Sequence, residues 1–246
     1  MITLVGIGHV FSIRKAVKYI IYRRRPHAVC VELDKFRFEM LDKGMDRSKD
    51  APFLMKRLQK VYDKAAQSQG AEVGEEMLGA VEAARDMEIP HFFIDVEATP
   101  MVSGMLKDLP LSQKLKLAGS VLGASVLPKK QLEKGMGMIE NDPDRAMKEF
   151  GKVFPDLKER IVDYRDTYMS RKLMKLNREH PHLLAVIGQG HMTGIRNHLK
   201  NMDVEVIELR QVNKIAQKIE NGELKLISPE DRGENSDLRL SFEVKT

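Results

Sequence analysis

One phrase occurs twice in this chain, and its repetition limits the possible folds more than any other feature. Near the start the sequence reads Val5-Gly6-Ile7-Gly8-His9, with Ile13-Arg14 following. Near the end it reads Ile187-Gly188-Gln189-Gly190-His191, 182 residues on, with Ile195-Arg196 at the same offsets. Each copy is an apolar run, a Gly-x-Gly-His turn and an amphipathic segment, which spells strand, turn, helix.

The flanking residues extend each copy. Residues 2–8 predict a buried strand, Ser12 to Arg24 a helix stopped by Pro26, and His27 to Leu33 a second strand. Such a βαβ unit predicts adjacent parallel strands joined by a right-handed crossover. Leu183 to Gly188, Thr193 to Lys200 and Val204 to Leu209 repeat the order. The expected fold is α/β: a mixed, largely parallel sheet from two duplicated strand–turn–helix halves meeting about a pseudo-dyad, within one domain over residues 1–246. Two copies are too few for a solenoid.

Between the copies the pattern is mostly helical. Helices are expected over 51–68 and 74–88, the second stopped by Pro90, and His91 to Asp95 predicts a third short strand. From Met101 to Arg178 only helical periodicity appears, punctuated by Pro110, Pro128, Pro143 and Pro155. Asp142-Pro143 reads as a capped helix start with proline in the first turn. The tail, 222–246, alternates and predicts a hairpin or edge strands.

Composition removes several classes of function. The chain has no Trp and few aromatics to stack on bases, and its net charge of +5 is scattered, so a nucleic-acid partner is not expected. The run Arg23-Arg24-Arg25 closes a helix, where cations suit the dipole. The longest uncharged apolar stretch, Leu117 to Pro128, is too short to span a bilayer, and no signal-like leader is evident. The one cysteine, Cys30, lies in an apolar run and reads as a small buried hydrophobe. A cytoplasmic location is the expectation.

In α/β sheets ligands gather beyond the carboxyl ends of the strands. His9, Glu32, Asp34, Asp95, His191 and Glu208 all fall there. Gly6, Gly8, Gly188 and Gly190 permit tight turns and close approach of a ligand to the backbone. Two imidazoles with a carboxylate suit Mn²⁺, Co²⁺ or Zn²⁺ with open positions for water. Plainer readings compete. Asp34 and Glu208 fit helix caps, Glu75 suits a helix N-terminus, and Arg165 with Asp166 reads as a surface ion pair. His180 and His182 precede a strand, at the opposite end from the presumed site. Glu32 is different, because a carboxylate closing a buried strand needs a partner or a ligand.

These motifs, in order, resemble the TraB/PrgY family of pheromone-shutdown proteins, related to GumN and the Tiki proteases. The resemblance covers Met1 to about Leu209. It rests on Gly6 to His9, Val31-Glu32-Leu33-Asp34, Gly74-Glu75-Glu76-Met77, Asp95, the PLSQKLKLAGS stretch from Pro110, Arg165-Asp166 with Tyr168-Met169, and Gly188 to His191. It implies a mixed α/β domain with both G-x-x-H motifs at one site. By the Tiki pattern His9 and His191 become metal ligands, and Glu32 a ligand or general base. Arg165 becomes an oxyanion or carboxylate clamp, and Glu76 and Asp95 acids that touch the ion or brace its ligands. The chain departs from the pattern at Ile7 and Val96.

The leading expectation is therefore a metal-dependent hydrolase acting on small peptides. One rival is a non-catalytic protein that holds a peptide or haem between the two halves, without covalent haem because no Cys-x-x-Cys-His is present. Another is a dimeric scaffold using 101–178, a homodimer being compatible with the apolar Leu117–Pro128 segment.

Overall fold

The computed structural model describes residues 1–8, 13–43, 74–97, 104, 109–126 and 142–226. His9, the helix expected over 51–68 and the tail from 227 lie outside the described residues.

Five strands form one parallel sheet: β1 (Ile2–Ile7), β2 (Ala28–Val31), β3 (His91–Phe93), β4 (Leu183–Gly188) and β5 (Val204–Ile207). Their spatial order is β3-β2-β4-β1-β5. The halves interleave. β1 and β4 pair directly along their whole length, from Ile2 beside Leu183 to Ile7 beside Gly188. The chain leaves β1, passes over β4 and adds β2; it later leaves β4, passes over β1 and adds β5. This corrects one expectation: β1 and β2 are not neighbours, because the strand of the second copy is inserted between them. The pseudo-dyad lies between β1 and β4.

The crossovers explain the layers. Helix α1 (Arg14–Arg24) lies on one face of the sheet and α8 (Met192–His198) on the other. Alternate strand residues feed the two faces, as the period of two requires. Val5, Ile7, Val29, Val31 and Val186 pack with Val17 and Ile21 of α1, Val81 of α3 (Glu75–Asp86) and Val212 of α9 (Leu209–Glu220). Leu4, Cys30, Ala185 and Ile187 pack with Ile195 of α8 and with Met169 and Leu173 of α7 (Tyr164–Leu176).

Helix ends follow local chemistry. α1 stops at Arg25, which takes a left-handed conformation (φ 46°) before Pro26, while Arg23 and Arg24 occupy the last turn. Asp34 caps α2 (Lys35–Asp42) by accepting the Arg37 N–H at 2.8 Å. α3 starts from Gly74 at φ 97°, a conformation that strains any residue with a Cβ. It leads back towards β3, so its first turn, with Glu76, lies at the carboxyl end of the sheet.

The segment between the copies is helical as expected. It comprises α4 (Leu111–Val126), α5 (Pro143–Val153), α6 (Pro155–Lys158), a π-helical turn (Glu159–Asp163) and α7. Asp142 caps α5, accepting the Arg145 N–H at 3.0 Å, and Pro143 and Pro155 open their helices. Leu109, Phe154 and Leu157 make a small separate core with Leu117 and Phe150. No described helix is long and apolar enough to cross a membrane. α9 ends in a turn at Gly222 (φ 76°), and Glu223 to Leu226 form bends and irregular backbone; the rest of the tail expected to form strands lies outside the described residues.

Cys30 is fully buried in β2, and burial pushes its thiol up to about 12, with Lys172 pulling only weakly the other way. At about pH 8 the native chain is expected to resist a disulfide reagent for as long as it stays folded. In guanidinium chloride the one thiol should react at once; rapid native labelling would contradict the position of β2.

Candidate active site

Glu32 follows β2 directly, and its backbone still donates to Val186 O at 3.1 Å, so the side chain leaves the sheet on a rigid base. It is 5% exposed. Its Oε2 accepts the Gly188 N–H at 2.6 Å, from the last residue of β4. Its Oε1 accepts from Arg165 Nη2 and stands 3.3 Å from His191 Nε2. The buried carboxylate therefore has the partners its position demands.

Arg165 reaches this point from α7. Its Nε donates to Asp95 Oδ1 at 2.9 Å and its Nη2 to Asp95 Oδ2 at 2.7 Å as well as to Glu32, while Nη1 faces Ile161 O at 3.4 Å. Asp95, two residues past β3, also accepts the Val96 N–H at 2.8 Å and Arg37 Nη2. Arg37 Nε in turn donates to Asp34 Oδ2 at 2.6 Å. The surface pair expected of Arg165 and Asp166 is thus corrected: both are buried, and they serve different partners. Consecutive residues on a helix point about 100° apart, so Arg165 meets the ends of β2 and β3 while Asp166 meets the turn after β4.

That turn, Gln189–His191, is a single 3₁₀ turn continuing into α8. It places the buried His191 with Nδ1 2.5 Å from Asp166 Oδ1. Burial alone would lower the imidazole pKa, but the facing Glu32 and Asp166 carboxylates outweigh it and raise it to about 9. Burial raises Asp166, against the pull of His191. Burial opposes the charge on Arg165 too, yet Glu32 and Asp95 hold it above its ordinary value. Asp34, Asp95, Glu32 and Asp166 give four carboxylates against two guanidiniums, so the cluster is formally anionic before His191 is counted.

The repeated glycines have distinct uses. A Cβ on Gly6 would lie 2.3 Å from Gln189 Oε1, which accepts the Leu209 N–H at 2.9 Å and ties the start of α9 to the turn. A Cβ on Gly190 would meet Met147 of α5 at 3.1 Å. At both positions a side chain of the same molecule stands where a Cβ would lie. Gly188 gives its N–H to Glu32, and Gly8 is half-buried where β1 ends. Glu76 is buried in the first turn of α3, and the hydrogen bonds described above run through other side chains. Glu208 precedes α9 as its N-cap, and its N–H donates to Gln211 Oε1 at 2.8 Å. His182 lies at the other end of the sheet, 3.0 Å from Thr3 Oγ1.

Sequence reasoning missed three contributors: Arg37, the joining of Asp166 to His191, and Gly194. Gly194 did carry a signal, since glycine inside a helix costs about 1 kcal/mol against alanine and calls for a reason. Among the described residues no group of three or more His, Cys, Asp and Glu side chains is arranged to hold a metal ion. Glu32 and His191 supply two potential ligands.

Fold and site together define an α/β protein with a buried ionisable cluster past the carboxyl ends of its parallel strands. The chain belongs to the TraB/PrgY/gumN family, which it matches over residues 1–208. It is also similar to a protein of Methanocaldococcus jannaschii described as uncharacterized, at 27% identity over 87% of this chain and 58% of that relative. The chain thus spans well under two thirds of that relative's length.

Removing one member of a buried ion pair strands the other. Arg165→Met is expected to lower the unfolding free energy by about 3–5 kcal/mol, because Glu32 and Asp95 stay buried without their cation. Lys152→Met, which removes the exposed Lys152–Glu149 pair (2.7 Å), should leave the denaturation midpoint where it was. Equal midpoints for the two variants would overturn the account of Arg165.

His191 makes stability depend on pH. Its folded pKa is raised above the ordinary 6.5, so its contribution is complete below that value and is lost as pH rises through about 9. In metal-free protein the advantage of wild type over His191→Gln in chemical denaturation should shrink across that window. A constant difference would contradict the raised pKa.

Proposed function

We propose that this chain is a metal-dependent hydrolase acting on small peptides, with His191 and Glu32 holding the ion. The support comes from one relation. Asp166 occupies Nδ1 of His191, leaving Nε2 towards Glu32 Oε1 at 3.3 Å. Two ligands at about 2.0–2.1 Å on a tetrahedral ion stand about 3.3–3.4 Å apart, so these atoms suit one edge of such a site. Among the described residues the cluster holds more carboxylates than guanidiniums, which favours a cation there. A further ligand is needed; His9, assigned by the family resemblance, lies outside the described residues. Mn²⁺, Co²⁺ or Zn²⁺ would supply an activated water and polarise a carbonyl.

The chain's own groups take the remaining roles. Glu32, held in place by Arg165 and the Gly188 N–H, takes the role of ligand. Asp95 is bonded by two arginines and a backbone N–H, which fits it to hold Arg165 rather than to move protons. Arg165 has Nε and Nη2 committed to carboxylates and acts here as a fixed internal cation in place of a substrate clamp. Glu76, buried in the first turn of α3 at the same end of the sheet, keeps the supporting acid role that the resemblance assigns it. The peptide substrate class rests on the resemblance to the Tiki proteases. Ligand capture between the two halves has less support, because β1 and β4 pair directly along their whole length.

After loading with Mn²⁺, Co²⁺ and Zn²⁺ and desalting, elemental analysis should find close to one ion per wild-type chain. Folded His191→Ala and His9→Ala should lose it, and with it the cleavage of a peptide mixture read by mass spectrometry. Negligible metal in all three proteins would overturn the assignment.

A further inference from the structure

We infer that Asp166 is a positioning residue: its carboxylate holds the proton of His191 on Nδ1 and so turns a bare Nε2 towards Glu32, and glycine at 194 is what admits that carboxylate. The inference rests on the proposed ligand role of His191 and adds to it the device that selects the tautomer.

The two sides of the imidazole are unequal. Nδ1 lies 2.5 Å from Asp166 Oδ1, a short charge-assisted distance, whereas Nε2 lies 3.3 Å from Glu32 Oε1. Glu32 is further disarmed as a competitor, since Oε1 accepts from Arg165 and Oε2 from the Gly188 N–H. Asp166 is 3% exposed, and among the described residues its hydrogen bond is the one to His191. A neutral imidazole here therefore carries its proton on Nδ1.

Gly194 makes the arrangement possible. It lies in the first turn of α8, three residues after His191, where a Cβ would stand 1.8 Å from Asp166 Oδ2, 2.7 Å from Cγ and 3.2 Å from Cβ. The clash covers the carboxylate and its stem together, so Asp166 would have to rotate away from His191. An alanine would improve helix propensity at this position by about 1 kcal/mol, yet the space belongs to Asp166. The apolar neighbours Met192 and Ile195 anchor α8 on the sheet, which prevents the helix from backing off.

The test uses the full chain without metal, at a pH above the His191 titration, and reads the ring nitrogens by long-range ¹H–¹⁵N correlation. Wild type should show His191 as the Nδ1–H tautomer. Asp166→Asn, nearly isosteric, and Gly194→Ala, which keeps the aspartate but displaces it, should both show a mixed or reversed tautomer with otherwise native spectra. Mn²⁺ affinity, titrated on the same proteins, should fall about 10- to 100-fold in both variants. An Nε2–H tautomer in wild type, or an unchanged tautomer in Asp166→Asn, would overturn the inference even if Gly194→Ala fails to fold. A tautomer switch in protein that binds no Mn²⁺ would uphold the positioning and overturn the metal site instead.

Discussion

Arg165 is the hinge on which the buried end of this fold depends. Two carboxylates, Glu32 and Asp95, leave neighbouring strands into a space with almost no access to water. A buried carboxylate is costly unless it is paired, and Arg165 pairs with both through one planar guanidinium. The same bonds tie α7 to the ends of β2 and β3. That helix is thus fastened at the point where the sheet would otherwise bear uncompensated charge. Arg37 reinforces the arrangement from α2 by joining Asp95 to the cap residue Asp34.

The interleaving of the halves decides where that charge collects. Because β1 and β4 pair inside the sheet, their carboxyl ends, Ile7 and Gly188, lie side by side in the same layer. The helices that follow lie on opposite faces, α1 on one and α8 on the other. Gln189 illustrates how closely the copies are joined. It comes from the second motif, lies over Gly6 of the first, and holds the start of α9. The glycines conserve space for the chain itself as much as for any ligand.

Much of this was legible in the sequence, and the reasons for success and failure are physical. β4 was readable to the residue, since LLAVIG is a continuous apolar run bounded by polar residues and a turn. The cap at Asp142-Pro143 was readable because its chemistry is local. The need of Glu32 for a partner followed from burial alone. The strand order was hidden: a βαβ unit states that two strands are parallel, but not that another strand will enter between them. The burial of Arg165 and Asp166 was hidden for a related reason. RD within a polar helical stretch has the composition of a solvated face, and only the ends of β2, β3 and β4 give each residue a reason to turn inward. Gly194 was visible as an anomaly whose cause lay on another helix.

The cluster separates what keeps the fold from what would give it a function. Arg165 compensates Glu32 and Asp95 permanently, because a guanidinium does not lose its proton in the working range of pH. His191 is the changeable cation. The field of Glu32 and Asp166 favours a positive charge at the imidazole, and a proton satisfies it in the metal-free protein. A divalent ion at Nε2 would satisfy the same field while releasing that proton, since only the neutral ring can bind a metal. Under the proposed function proton and metal would therefore compete for one location, while Arg165 beside it keeps its charge and its bonds to Glu32 and Asp95 whichever of them is bound.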